Sequence, residues 1–70
     1  MYIYQKVNGE LYISKKYISF EDRQCDGSFD SLIGEFNNKK DAWKLLKYKC
    51  KIGVLDKNYA KRFIEDNINE

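Results

Sequence analysis

The chain opens on two runs of alternating side chains. Tyr2-Ile3-Tyr4-Gln5-Lys6-Val7 and Glu10-Leu11-Tyr12-Ile13-Ser14 are rich in β-branched and aromatic residues, which suit strands. Asn8-Gly9 between them predicts a β-hairpin closed by a two-residue type I′ turn, whose central residues both need positive φ. That loop pairs Val7 with Glu10, Gln5 with Tyr12 and Ile3 with Ser14. One face then carries Ile3, Val7 and Tyr12, and the other carries Tyr2, Tyr4, Leu11 and Ile13. Neither face is polar. After Lys15-Lys16 the alternation resumes out of phase at Tyr17, Ile18 and Phe20, which predicts a bulge, a bend or a strand break. Residues 21–31 read as an acidic turn centred on Asp26-Gly27. Ser31 to Phe36 reads as a third strand, weakened by Gly34.

The period then changes from two to about 3.6. Asn37 or Asn38 can cap a helix, and Asn38-Lys-Lys-Asp41 is close to a capping box. Ala42, Leu45, Leu46 and Cys50 recur at helical spacing, with Trp43 at one flank. Gly53 suits the position just past the helix end. Asp56 can cap a second helix, with Leu55 stapled onto Ala60. Tyr59, Ala60, Phe63, Ile64 and Ile68 form its apolar stripe. The connection between the helices is short, so they should be neighbours. The expected fold is α+β: a small antiparallel sheet, made of the hairpin and the third strand, packed on two C-terminal helices. At 70 residues, a single domain spanning 1–70 is expected, with marginal stability for its size.

Charge adds a second asymmetry. Residues 1–36 hold four basic and six acidic side chains, a balance of −2, whereas residues 37–70 hold nine basic and five acidic, a balance of +4. Such a split hints at an interaction face. No run approaches the ~20 apolar residues of a membrane span. Met1 to Val7 has no basic segment followed by an apolar stretch, so no signal peptide is expected and a cytoplasmic location follows by default. Cys25 and Cys50 are then expected as free thiols.

Histidine and proline are absent. Without histidine the commonest general base, the commonest metal ligand and every Ser-His or Cys-His arrangement are gone. No glycine-rich phosphate loop occurs. Asp22, Asp26, Gly27, Phe29 and Asp30 match five positions of a calcium-binding loop, but Ile33 stands where the bidentate glutamate belongs. Glu21, Asp22, Asp26 and Asp30 are a loose carboxylate group in a chain with little room for a substrate cleft. The expectation is no enzyme, no metal and no cofactor.

Two surfaces carry the functional expectation. At ~100° per residue, Lys40, Lys44, Lys47 and Lys51 fall in one narrow arc opposite Leu45 and Leu46. Lys39 and Lys49 lie nearer the apolar side and should snorkel. Lys39 and Lys40 also occupy the first helical turn, where the dipole disfavours cations by a few tenths of a kcal/mol. An anionic partner would offset that. The second surface is the hairpin, where Tyr2, Tyr4 and Tyr12 on an uncovered face would anchor a protein partner or a second copy of the chain.

The segment Gly34-Glu-Phe36-Asn-Asn-Lys-Lys40-Asp-Ala42-Trp43, following a hairpin, resembles the arm-binding N-terminal domains of phage-type integrases, which bind DNA with a three-stranded sheet and a helix. The likeness covers about ten residues, and any well-capped strand-to-helix junction shares it. The sheet here lacks the arginines that such DNA readers present, so the likeness is not taken as membership of that family. The function expected is that of a non-enzymatic interaction protein. Small size, AT-rich residue usage and missing catalytic groups suggest a phage or mobile element as its source. It would block or modulate a host protein or protein–nucleic acid complex, such as a bacterial defence component. The alternative is a small nucleic-acid-binding protein that uses the basic helix 39–51. A homodimer built on the hairpin is a third arrangement. No membrane partner is expected.

Overall fold

A computed structural model describes residues 1–69. The fold is α+β, with a three-stranded antiparallel sheet and three helices, two of them C-terminal. The elements are β1 (Tyr2–Lys6), β2 (Leu11–Ser14), α1 (Phe20–Asp26), β3 (Phe29–Glu35), α2 (Lys39–Lys51) and α3 (Lys57–Asn67). The chain divides into two compact units at Glu35/Phe36. Phe36 is uncharged, so the balances of −2 and +4 belong to these two units.

In the first unit the strand order is β2-β1-β3. The hairpin forms, but one residue away from the expected register. Tyr4 pairs with Tyr12 and Gln5 with Leu11. The Lys6 amide donates to Glu10 O at 2.8 Å, and the Gly9 amide donates back to Lys6 O at 2.9 Å. The loop is therefore three residues, Val7–Gly9. Only Gly9 takes the left-handed conformation, at φ 91°, and no other residue type in the described chain has positive φ. A type I′ turn would also put Asn8 there. Asn8 instead accepts a 2.9 Å hydrogen bond from the Glu10 amide through Oδ1. A tight turn followed by a left-handed glycine is the usual three-residue hairpin solution.

The one-residue slip reassigns the side chains of β2 to opposite faces. Tyr2, Tyr4, Lys6 and Tyr12 now share one face, and Ile3, Gln5, Leu11 and Ile13 share the other. On the pairing side of β3, register shifts leave Asp30 and Ile33 as extra residues, and Gly34 stands opposite Ile3. Bulges of this kind bend a strand and increase its twist. β3 begins at Phe29 and ends at Glu35, shifted from the expected Ser31–Phe36.

The acidic turn is the larger correction. Residues 20–26 form helix α1. The Ser19 hydroxyl caps it by accepting from the Asp22 amide at 3.1 Å. Glu21 and Asp22 sit in the first turn, where the helix dipole favours carboxylates. The Gly27 amide closes the end on Arg23 O at 3.1 Å. β2 ends at Ser14 and the chain bends at Lys15-Lys16, the break that the change of phase predicts. Beyond it the Ile18 amide donates to the Tyr4 hydroxyl at 2.7 Å.

In the second unit both caps form as expected. Asn38 Oδ1 accepts from the Asp41 amide at 2.9 Å, and Asp56 Oδ2 accepts from the Tyr59 amide at 2.9 Å. α2 ends in a Schellman motif: the Gly53 amide donates to Cys50 O and the Val54 amide to Lys49 O, both at 3.1 Å, with Gly53 at φ 80°. Ala42 and Leu46 of α2 are buried, as are Leu55, Ala60, Ile64 and Ile68 around α3. Leu45 and Cys50 are half-buried. α2 and α3 are neighbours, bridged at the surface by Lys39 Nζ and Glu65 Oε2 at 3.2 Å.

Candidate functional site

The helical pitch of α2 sets three longitudinal zones. Ala42 and Leu46 are buried on one side. Lys40, Lys44, Lys47 and Lys51 are all exposed, as their shared arc predicts. Trp43 lies between these zones and is half-buried. Lys39 and Lys49 are half-buried as well, which fits their position beside the apolar stripe.

Two shallow depressions lie on the α2–α3 pair, and Trp43 belongs to both. The first has a volume of about 380 Å³ and is lined by Lys39, Lys40, Trp43, Lys61, Ile64 and Glu65. The second, about 270 Å³, is lined by Trp43, Lys47, Cys50, Lys51 and Lys57. Lys61 Nζ lies 6.0 Å from the centroid of the Trp43 ring. Six lysines thus edge the two depressions, against the single carboxylate of Glu65. As in α2, a lysine opens α3, here Lys57; α2 has Asp41 in its first turn, whereas α3 has no acidic residue there. Each such cation costs a few tenths of a kcal/mol against the dipole. Sequence reasoning found the α2 lysines but left out Trp43, Lys57 and Lys61. Trp43 was visible at the flank of the stripe. The α3 lysines join the site only because the two helices pack side by side.

The aromatic hairpin gives a different result. Tyr4 is fully buried, at 0 % exposure, so it is no surface anchor. Its ring meets Phe29 edge-on at 5.7 Å, the Arg23 guanidinium lies 5.5 Å from its centroid, and its hydroxyl is held by Ile18. Arg23, expected in a loop, lies on α1 and donates to Ile18 O at 2.8 Å. Tyr2 is half-buried against Tyr17, with centroids 5.7 Å apart. Tyr12 keeps 40 % of its surface exposed but packs edge-on against Phe29 at 5.6 Å, with Lys6 Nζ 5.4 Å from its ring centroid. The tyrosines share one face, yet most of their ring surface is used within the unit.

Asp22 and Asp26 lie along α1, not on a loop that wraps an ion. No group of three or more His, Cys, Asp or Glu among the described residues is placed to hold a metal. Cys25 is exposed and Cys50 half-buried, and both are free. No described helix is long and apolar enough to cross a membrane. Searches against family models, curated proteins and solved structures give no match for this chain.

Proposed function

We propose that this chain is a non-enzymatic interaction protein that binds an acidic macromolecule through the lysine face of α2 and acts by steric blocking. One observation carries the reading: Lys40, Lys44, Lys47 and Lys51 stand exposed on one arc and make no ion pair among the described residues. A solvated lysine face on an ordinary helix would be expected to carry interleaved carboxylates, which add a few tenths of a kcal/mol per pair. Here that face belongs to a unit with a net +4 charge, and its neighbours across the depressions are further lysines. Clustered like charges raise the local concentration of a polyanion and speed its encounter. The absence of histidine argues against acid–base chemistry at the same site.

The setting we propose is a phage or mobile element acting on a cytoplasmic host component such as a defence complex. Small size, AT-rich residue usage and the lack of histidine support that setting. A dimer built on the hairpin would have to do without Tyr4, whose ring is buried. The test compares capture from a bacterial lysate by the tagged parent chain and by Lys40→Glu/Lys44→Glu/Lys47→Glu/Lys51→Glu, with and without nuclease. A partner held by the parent and lost by the variant supports the reading. Equal capture by both rejects it.

A further inference from the structure

The lysine face does not explain why a half-buried tryptophan lies at its inner edge, shared by two depressions. We infer that the α2–α3 surface binds single-stranded nucleic acid, with phosphates on the lysines and an unpaired base stacked against Trp43. This inference rests on the polyanion-binding reading and names its occupant.

The geometry favours that occupant on three counts. First, cations flank one aromatic ring: Lys39, Lys40 and Lys61 line one depression, Lys47, Lys51 and Lys57 line the other, and Trp43 lines both. A basic track with an aromatic platform is how proteins hold single strands without reading their sequence. Lys40 and Lys51 are eleven residues apart on α2, or about 16 Å along its axis. That span accommodates at most about five phosphates at the ~3.4 Å spacing of a stacked strand, and fewer once bases are unstacked.

Second, the cations are lysines. They act as point charges that suit phosphate oxygens from many directions and need no fixed fork geometry, so they can hold a backbone without reading base edges. The only arginine in the second unit, Arg62, lines neither depression. An acidic protein surface would use the same charge, but its carboxylates carry no base to stack on Trp43. Third, the ring is recessed into depressions whose combined lining is basic, with Lys61 Nζ 6.0 Å from its centroid. A phosphate drawn to Lys61 brings its own base to the indole. In a duplex the bases are already stacked on one another and do not reach it.

Trp43 is the only tryptophan, so its fluorescence reports on the site directly. The experiment titrates the intact chain at low salt with a short oligothymidylate, the matching duplex and polyglutamate. We expect oligothymidylate to quench Trp43, with log affinity falling by about 0.7 per phosphate contact for each tenfold rise in salt. The duplex should bind several-fold more weakly without quenching. Trp43→Leu should weaken oligothymidylate binding about tenfold and leave the salt slope unchanged, while Lys47→Glu/Lys51→Glu should abolish binding. Quenching of the parent chain needs no variant, so a failure of Trp43→Leu to fold leaves the decision intact. Oligothymidylate binding without quenching overturns the stacking inference but leaves the lysine face standing, provided the lysine reversals still abolish binding. Tighter binding of polyglutamate replaces the occupant with an acidic protein. Binding of none of the three probes removes both this inference and the reading beneath it.

Discussion

In residues 1–35, two of the four cations, Lys6 and Arg23, lie against aromatic rings. In the helical unit that follows, most cations face solvent. Lys6 lies 5.4 Å from the Tyr12 centroid and Arg23 5.5 Å from that of Tyr4. The rings of Tyr4 and Tyr12 both meet Phe29 edge-on. On α2 and α3 the only ion pair among the described residues is Lys39–Glu65, and the only cation over a ring is Lys61 at Trp43. The difference separates two uses of the same side chains. A cation above a partly buried ring contributes about 0.5–2 kcal/mol to the unit that contains it. A lysine with no partner contributes little to stability, so its placement is free to serve binding. The first unit looks like an interface in the sequence, yet Tyr4 at the centre of its ring cluster is fully buried, while Tyr12, Tyr17 and Phe20 stay exposed. In the helical unit the apolar stripe is buried and the lysine arc of α2 is left open.

Truncating the aromatic interior should give the largest effect. Tyr4→Ala removes a fully buried ring and should cost about 3–5 kcal/mol, a large share of the ~5–15 kcal/mol typical of whole domains. At roughly 4–8 °C per kcal/mol for a chain of this size, thermal unfolding followed by circular dichroism should show the transition fall by well over 10 °C or vanish. A shift of only a few degrees would mean that the ring is not packed as described. Tyr4→Phe isolates the hydroxyl. It leaves the part-buried Ile18 amide without its acceptor and should cost about 1–3 kcal/mol in urea unfolding.

A smaller loss is expected at the α2 cap. Asn38→Ala should lower stability by about 1 kcal/mol, and Asn38→Asp should restore it. Smallest of all is Lys40→Glu, which should raise stability by a few tenths of a kcal/mol, because an acid replaces a base in the first helical turn. The same substitution should weaken polyanion binding. Opposite signs for stability and binding in one variant would sharpen the contrast between the two units. If both fell together, the lysine would be structural and the contrast would be lost.

Legibility in the sequence followed element length and local chemistry. α2 and α3 span 13 and 11 residues, long enough for a 3.6-residue period to show, and Asn38, Gly53 and Asp56 marked their ends. α1 has only seven residues, too few for a period to stand out from the acidic composition around it. Its caps were nevertheless present, Ser19 three residues before Asp22 and Gly27 just past the end. The hairpin was legible as a hairpin, but its loop length was not. Asn-Gly is compatible with a two-residue turn and with a three-residue loop that ends in a left-handed glycine. The α2 lysine arc could be drawn from spacing alone. The aromatic patch could not be judged, because exposure of a tyrosine depends on what covers it.

Local covalent chemistry determined most of the elements: side-chain alternation for strands, helical spacing with capping residues for α2 and α3, and the lack of any histidine for the missing acid–base groups. These are properties of a residue and its near neighbours, so a single chain displays them. Tertiary structure decided the one-residue slip at Val7–Gly9, the burial of Tyr4 under Ile18 and Arg23, and the meeting of Trp43 with lysines from a second helix. Each of those depends on contacts between residues distant in sequence or on a register with nearly isoenergetic alternatives. Packing chooses among such alternatives where local preference does not.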